Sequence, residues 1–287
     1  MDVKDTTYTG TLQISVVSAL GMSPIPGATV TISYTGDPDS PIETLTTDES
    51  GETPEINLKA PPRELSLTPD ITEQPYSEYN IQVTAEGFET VLVSGSEILA
   101  GAYSLQPIRM NPLDVTEEEE KVVVIPPHTL FGEYPPKIPE EEIKPMNETG
   151  EIVLSRVVIP EYVIVHDGDP EDPTARNYWV RYKDYIKNVA SSEIYSTWSE
   201  SAIYANILVI QSFTLNRVFT EWYRGKGYDF TITSSTAYDQ KWIYGRNVFE
   251  EIDYLVDSIL PIIYPDLVYG SLFSHHTVTA TGLPAGG

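Results

Sequence analysis

The stretch GTLQISVVSALGMSPIPGATVTIS, residues 10–33, decides the architecture of the N-terminal half. Residues 11–18 (TLQISVVS) alternate apolar and polar side chains with the period of a half-buried strand, and residues 28–34 (ATVTISY) are β-branched at alternate places. Between them, Ser23-Pro-Ile-Pro-Gly27 is a turn, because proline fixes φ and glycine accepts positive φ. Working outward, Thr47-Asp-Glu-Ser-Gly51 is a second turn. Residues 79–85 (YNIQVTA) and 89–94 (ETVLVS) form a hairpin through Glu86-Gly87-Phe88. Many short strands at this spacing predict an all-β sandwich.

A chain of 287 residues has room for two ordinary domains and a linker. Its 19 tyrosines are too many for a disordered acidic chain. Cysteine is absent, which excludes a disulfide framework, a thiolate zinc site and a thiol nucleophile together. The formal charge is −26, with 27 acids against 8 bases in residues 1–160 and 16 against 9 in residues 161–287. A field of that sign repels phosphate backbones and anionic bilayers, so neither nucleic acid nor membrane is an expected partner. The bland reading of such charge is solubility. Residues 1–13 have no basic stretch followed by an apolar one, so the expectation is a protein made in the cytoplasm. Any action at a cell wall or spore would then follow lysis or a non-standard export route.

Residues 114–159 read as an acidic, proline-rich linker, with a charge run at Glu117–Glu120 and prolines at 126, 127, 135, 136, 139 and 145. Such a segment holds two domains apart, unless its β-like pieces 121–125 and 152–158 dock on a neighbouring sheet. From residue 160 the character is mixed α and β. Residues 182–192 form a short helix leading to Glu193, and residues 200–223 a longer one. Ser199 is its N-cap, and Ile203, Ile207, Ile210, Phe213 and Leu215 lie on one broad apolar face. Residues 228–233 (YDFTIT) are strand-like, and 247–259 have helical spacing. The expected division is therefore 1–113, 114–159, 160–260 and an atypical tail, 261–287. The fold class is multidomain: an N-terminal sandwich joined by the linker to an α+β domain.

The N-terminal wording is also familiar. GTLQISVVSALGMSPIPGATVTIS, then TTDESGE, then YNIQVTAEGFET resembles the carboxypeptidase regulatory-like (transthyretin-like) domain. The resemblance implies a β-sandwich that serves as a spacer or adhesive module.

Glu193 is one acid among 43, and most acids are solvated surface groups. Three local features distinguish it: it closes a helix, the aromatics Tyr195 and Trp198 follow, and another helix begins shortly after. Aromatic walls beside a carboxylate desolvate it and raise its pKa, as a general acid near neutral pH requires. They also stack on sugar rings.

Residues 189–214, VASSEIYSTWSESAIYANILVIQSFT, resemble the core of the sporulation stage II protein D family, which includes the LytB amidase-enhancer type. The match runs without a gap from Glu193 to Phe213. Downstream, Tyr228-Asp229 through Gln240 is similar to the family's Tyr-Asp…Thr-Thr…Gln segment. The resemblance implies a lytic transglycosylase acting on peptidoglycan glycan strands, with Glu193 as catalytic acid/base and no cofactor. Trp198, Asn206, Gln211, Ser212 and Gln240 would bind substrate, and a cell-wall amidase is an implied partner. The chain departs from the family pattern at Gln211 (arginine there), Asn206 (glutamine) and Ser199 (proline). Ser234-Ser235-Thr236 stands where some members carry zinc ligands, so no metal is implied. Other readings are a non-catalytic module that binds glycan or recruits an amidase, and a structural component of a spore or phage-like assembly.

The tail has no clear period, and two adjacent histidines, His275 and His276, make a poor metal site. Its wording suggests a frameshifted or truncated version of a longer protein, which sequencing of the locus would test.

Overall fold

A computed structural model describes residues 8–69, 71–113, 120–143 and 158–263. The tail from residue 264 and most of the β-like piece 152–158 lie outside these residues. In chain order the first seven strands are β1 (Thr9–Ser18), β2 (Thr29–Tyr34), β3 (Asp37–Thr46), β4 (Ile56–Lys59), β5 (Ser77–Thr84), β6 (Thr90–Ile98) and β7 (Tyr103–Met110). Then come β8 (Glu120–Val124), α1 (Glu140–Ile143), β9 (Tyr162–His166), β10 (Asn177–Arg181), α2 (Tyr182–Glu193) and α3 (Glu200–Phe219). The elements β11 (Ile232–Thr233), β12 (Val248–Phe249) and α4 (Glu250–Ile263) complete the order. Among the described residues the chain is mostly β, in three sheets. No helix of these residues is long and apolar enough to cross a membrane.

The N-terminal half is a β-sandwich. One sheet has the order β12-β7-β1-β4, the other β3-β2-β5-β6-β8. Strand alternation explains its core: Leu12, Ile14 and Val16 of β1 are wholly buried while Gln13 and Ser15 point outward. They pack with Val30, Ile32, Ile81 and Val83 from the facing sheet. Burying each such side chain contributes about 1.5–3 kcal/mol. The hairpin of β5 and β6 forms as the sequence predicts, with Val83 opposite Val91. The turn after β3 is closed by Asp48, whose Oδ1 accepts from the amides of Ser50 and Glu52. Gly51 has φ +75°, and a Cβ there would lie 2.5 Å from the Val16 carbonyl oxygen.

Of the two alternatives for the proline-rich segment, docking holds for its first β-like piece. Strand β8 runs parallel to β6, from Thr90 opposite Glu120 to Ser94 opposite Val124.

The three long helices, with β9 and β11, enclose a second core that also takes in Tyr76 and Leu99 of the sandwich. Two further links join these parts. Strand β12 pairs antiparallel with β7, placing Val248 opposite Leu105. Beside it, Arg246 forms a two-pronged ion pair with the wholly buried Glu97 of β6, and Asn247 Nδ2 donates to the Glu97 carbonyl at 2.8 Å. Of the strand-like stretch 228–233, only Ile232 and Thr233 pair, with β9. Tyr228 instead meets Tyr223 edge-on and Phe230 packs tilted against it, while Phe230 lies on the His166 ring at 4.4 Å.

Candidate active site

Helix α2 carries Glu193 at its last position. The helix is held by the buried face of Tyr185, Ile186, Val189 and Ala190, and by a side-chain clamp. Asn188 accepts from the Ile243 amide at 2.9 Å and donates to the Ile243 carbonyl at 2.7 Å, which fixes segment 240–246 against the helix. The helix ends because Ile194 turns to extended backbone, φ −137° and ψ 149°. That change leaves Glu193 beside the clamped segment, where its Oε1 accepts from the Lys241 amide at 2.7 Å.

Glu193 is half-buried as a residue, and the protein packed around its carboxyl is dense. Burial pushes its pKa up from 4.5 to about 7, against the smaller opposing pulls of the Lys241 amide and the Lys137 ammonium. Its place at the negative end of α2 acts in the same direction as burial. Lys137 comes from the proline-rich segment: the Ile138 amide donates to the Ala237 carbonyl at 2.8 Å and Lys137 Nζ to the Asp239 carbonyl at 3.0 Å. Burial lowers the pKa of both Lys137 and Lys241. The site is thus a desolvated carboxyl that accepts from the Lys241 backbone amide and feels the partly desolvated Lys137 ammonium, while the Lys241 ammonium lies over the Tyr134 ring.

Next to it lies a rigid polar node. Asp239 Oδ1 accepts from Arg217 Nε at 2.7 Å, while Oδ2 accepts from the Tyr223 hydroxyl at 2.6 Å and from Thr233. The Arg217 guanidinium stacks over the rings of Phe213 and Trp222 at 4.4 and 4.3 Å. Burial first, then the charges of Asp239 and Glu193, raise the pKa of the Tyr185 hydroxyl.

The other sequence-predicted site residues are placed as follows. Gln240 is buried; its Oε1 accepts from Thr214 at 2.9 Å and Tyr185 at 3.3 Å, and its Nε2 donates to the Ile210 carbonyl. Chain continuity with Lys241 brings it to Glu193. Trp198 Nε1 donates to the Ser66 carbonyl at 3.0 Å, in the single turn Arg63–Leu67 of the sandwich. Asn206 and Ser212 bond back to the carbonyls of their own helix, at Ala202 and Leu208. Gln211 is only 1% exposed, and neither amide atom has a hydrogen-bond partner among the described residues. Ser199 caps α3 by accepting from the Ala202 amide.

Sequence reasoning missed Lys137, Lys241, Tyr185 and Asp239. Lys241 was within reach as the neighbour of Gln240, and Asp239 as an acid beside it. Lys137 sits among prolines and carried no signal.

A carboxyl that titrates near neutral pH donates a proton and takes one back with little bias in either direction. That is the chemistry this arrangement offers.

No family model matches the chain, and no curated protein does. Among solved structures, the TIE protein of Bacillus anthracis is 14% identical over 37% of this chain and 17% of its own, with a TM-score of 0.27. GBS52, a minor pilin of Streptococcus agalactiae, is 16% identical over 37% of this chain and 45% of its own, at 0.26. The 5-hydroxyisourate hydrolase of Klebsiella pneumoniae is 14% identical over 36% of this chain and 90% of its own, at 0.24. The chain thus spans less than half the length of the first two. The sandwich itself is established by the strand pairing of this molecule.

Proposed function

We propose that this chain is a lytic transglycosylase-like protein of the sporulation stage II protein D type. Residues 160–260 are its α+β catalytic part, and the transthyretin-like sandwich serves as spacer or adhesive module. The observation that carries this reading is the Glu193 carboxyl, desolvated to a pKa of about 7 and held by a single amide from Lys241. Protonated, it gives its proton to the glycosidic oxygen as the bond to the sugar breaks. As carboxylate, it then takes the proton of the sugar's 6-hydroxyl while that oxygen closes the anhydro ring. The proton count balances over the cycle, and one carboxyl suffices because no water has to be activated. Retaining and inverting hydrolysis both require two carboxyls across the bond. Glu193→Gln should abolish release of anhydro-muropeptides from glycan strands and leave the protein folded. Undiminished release by that variant would refute the assignment.

A second reading, a module that holds glycan or recruits an amidase without cleaving, is favoured by one feature. Trp198 Nε1, Asn206 Nδ2 and the Ser212 hydroxyl donate to the protein's own backbone, so the donors expected to orient a sugar for cleavage are engaged elsewhere. Retention on peptidoglycan without any turnover by the wild type would decide for it.

A further inference from the structure

A groove of about 790 Å³ opens where the outer face of β1 and β7 meets β10 and segment 242–246; Glu193 is not among its lining residues. One wall is aromatic. Tyr178 packs against Trp242 and Tyr244 with ring centroids 5.3 and 4.9 Å apart. Trp179, 57% exposed, stands at the rim with Tyr162 6.4 Å away. The wall is held from behind: Gln106 Nε2 donates to the Gly245 carbonyl at 2.8 Å, and Asn188 clamps Ile243. Ring positions fixed in this way are available to a ligand at little ordering cost.

The groove also reverses the charge of the chain. Five of the 17 lysines and arginines line it, against three of the 43 acids. Arg246 and Lys187 are taken by Glu97 and by Asp253 and Asp257. Arg109, Lys121 and Arg181 have no carboxylate within ion-pair distance among the described residues; Lys121 donates to the Tyr244 hydroxyl at 2.7 Å, in line with the aromatic wall.

We propose that this groove binds an acidic glycan, a chain of sugar rings bearing carboxylates. The rings lie on Tyr178, Tyr244 and Trp179, backed by the buried Trp242, and the carboxylates meet Arg109, Lys121 and Arg181. The choice of sugar over peptide rests on ring chemistry. Every aromatic lining residue is Tyr or Trp, with a polar edge beside an apolar face, which matches a pyranose with C–H faces and a hydroxyl rim. The apolar anchors of a peptide would call for closed aliphatic pockets instead. Binding here is independent of the role of Glu193.

The full chain should be titrated by calorimetry with an oligogalacturonate, a chito-oligosaccharide of equal length and an oligoglutamate of equal charge. The oligogalacturonate should bind most tightly. Trp179→Ala and the double variant Arg109→Gln/Arg181→Gln should each weaken it about tenfold, a loss of about 1.4 kcal/mol. All three positions are exposed, and unchanged thermal melts will show that the variants are folded. Equal binding of the neutral chito-oligosaccharide, tighter binding of the oligoglutamate, no binding of the oligogalacturonate, or indifference to Trp179→Ala would each overturn the proposal.

Discussion

Glu193→Gln should stabilise the protein, by an amount that grows as pH rises from about 4.5 to about 7. In the folded chain burial raises the carboxyl from 4.5 to about 7. Between those values the folded state holds a proton that the unfolded state has lost, so stability falls as pH rises through that window. Below about pH 4 both states are protonated and the penalty vanishes. Above pH 8 it is complete: at about 1.4 kcal/mol for each tenfold change in proton affinity, it amounts to about 3 kcal/mol. The partial exposure of Glu193 trims this to about 2–3 kcal/mol. Glutamine keeps the acceptor that faces the Lys241 amide and removes the buried charge. Thermal melts of wild type and variant from pH 4 to pH 9 should therefore coincide at the acid end. They should separate by about 4–10 °C at the alkaline end, with the variant higher. A shift that is the same at all pH values, or a variant less stable at pH 9, would show that the folded protein welcomes the carboxylate. The general-acid assignment would then lose its physical basis.

Two other perturbations test how the halves are joined. Arg246→Met leaves the Glu97 carboxylate buried without its partner and should cost about 3–5 kcal/mol in urea denaturation, whereas Glu97→Gln/Arg246→Met should recover at least half of that. A loss below 1 kcal/mol for the single variant would mean that water reaches the pair. Trp198→Phe keeps an aromatic ring but deletes part of the indole and its hydrogen bond to the Ser66 carbonyl, so it should cost at least about 1 kcal/mol. It should also speed amide exchange in the Arg63–Leu67 turn relative to the strands around it. Uniform exchange would assign the loss to packing.

Which of these features a reader of the sequence can find depends on how local their cause is. Strand β1 is legible because its own residues alternate, and Ser199 is legible as a cap because its partner is three residues away. Strand β3 is not: Asp37-Pro-Asp-Ser-Pro-Ile-Glu-Thr-Leu-Thr is exposed along nearly its whole length and exists by pairing with β2. Residues 228–230 have strand composition, but their rings are more stable against Tyr223 and His166 than on a sheet edge. The window around Glu193 shows the same divide. Tyr195, read as part of an aromatic wall for the acid, stacks on the buried His128 at 4.4 Å, and Trp198 meets Tyr195 edge-on. What raises the carboxyl is burial by protein packed around it, and the groups that pull it back, the backbone of Lys241 and the ammonium of Lys137, arrive from elsewhere in the chain. Proton affinity is a property of a surrounding, and this one is assembled from three distant segments. A short motif can therefore nominate Glu193 as the acid, but its pKa depends on how segments 134–139 and 240–246 are held.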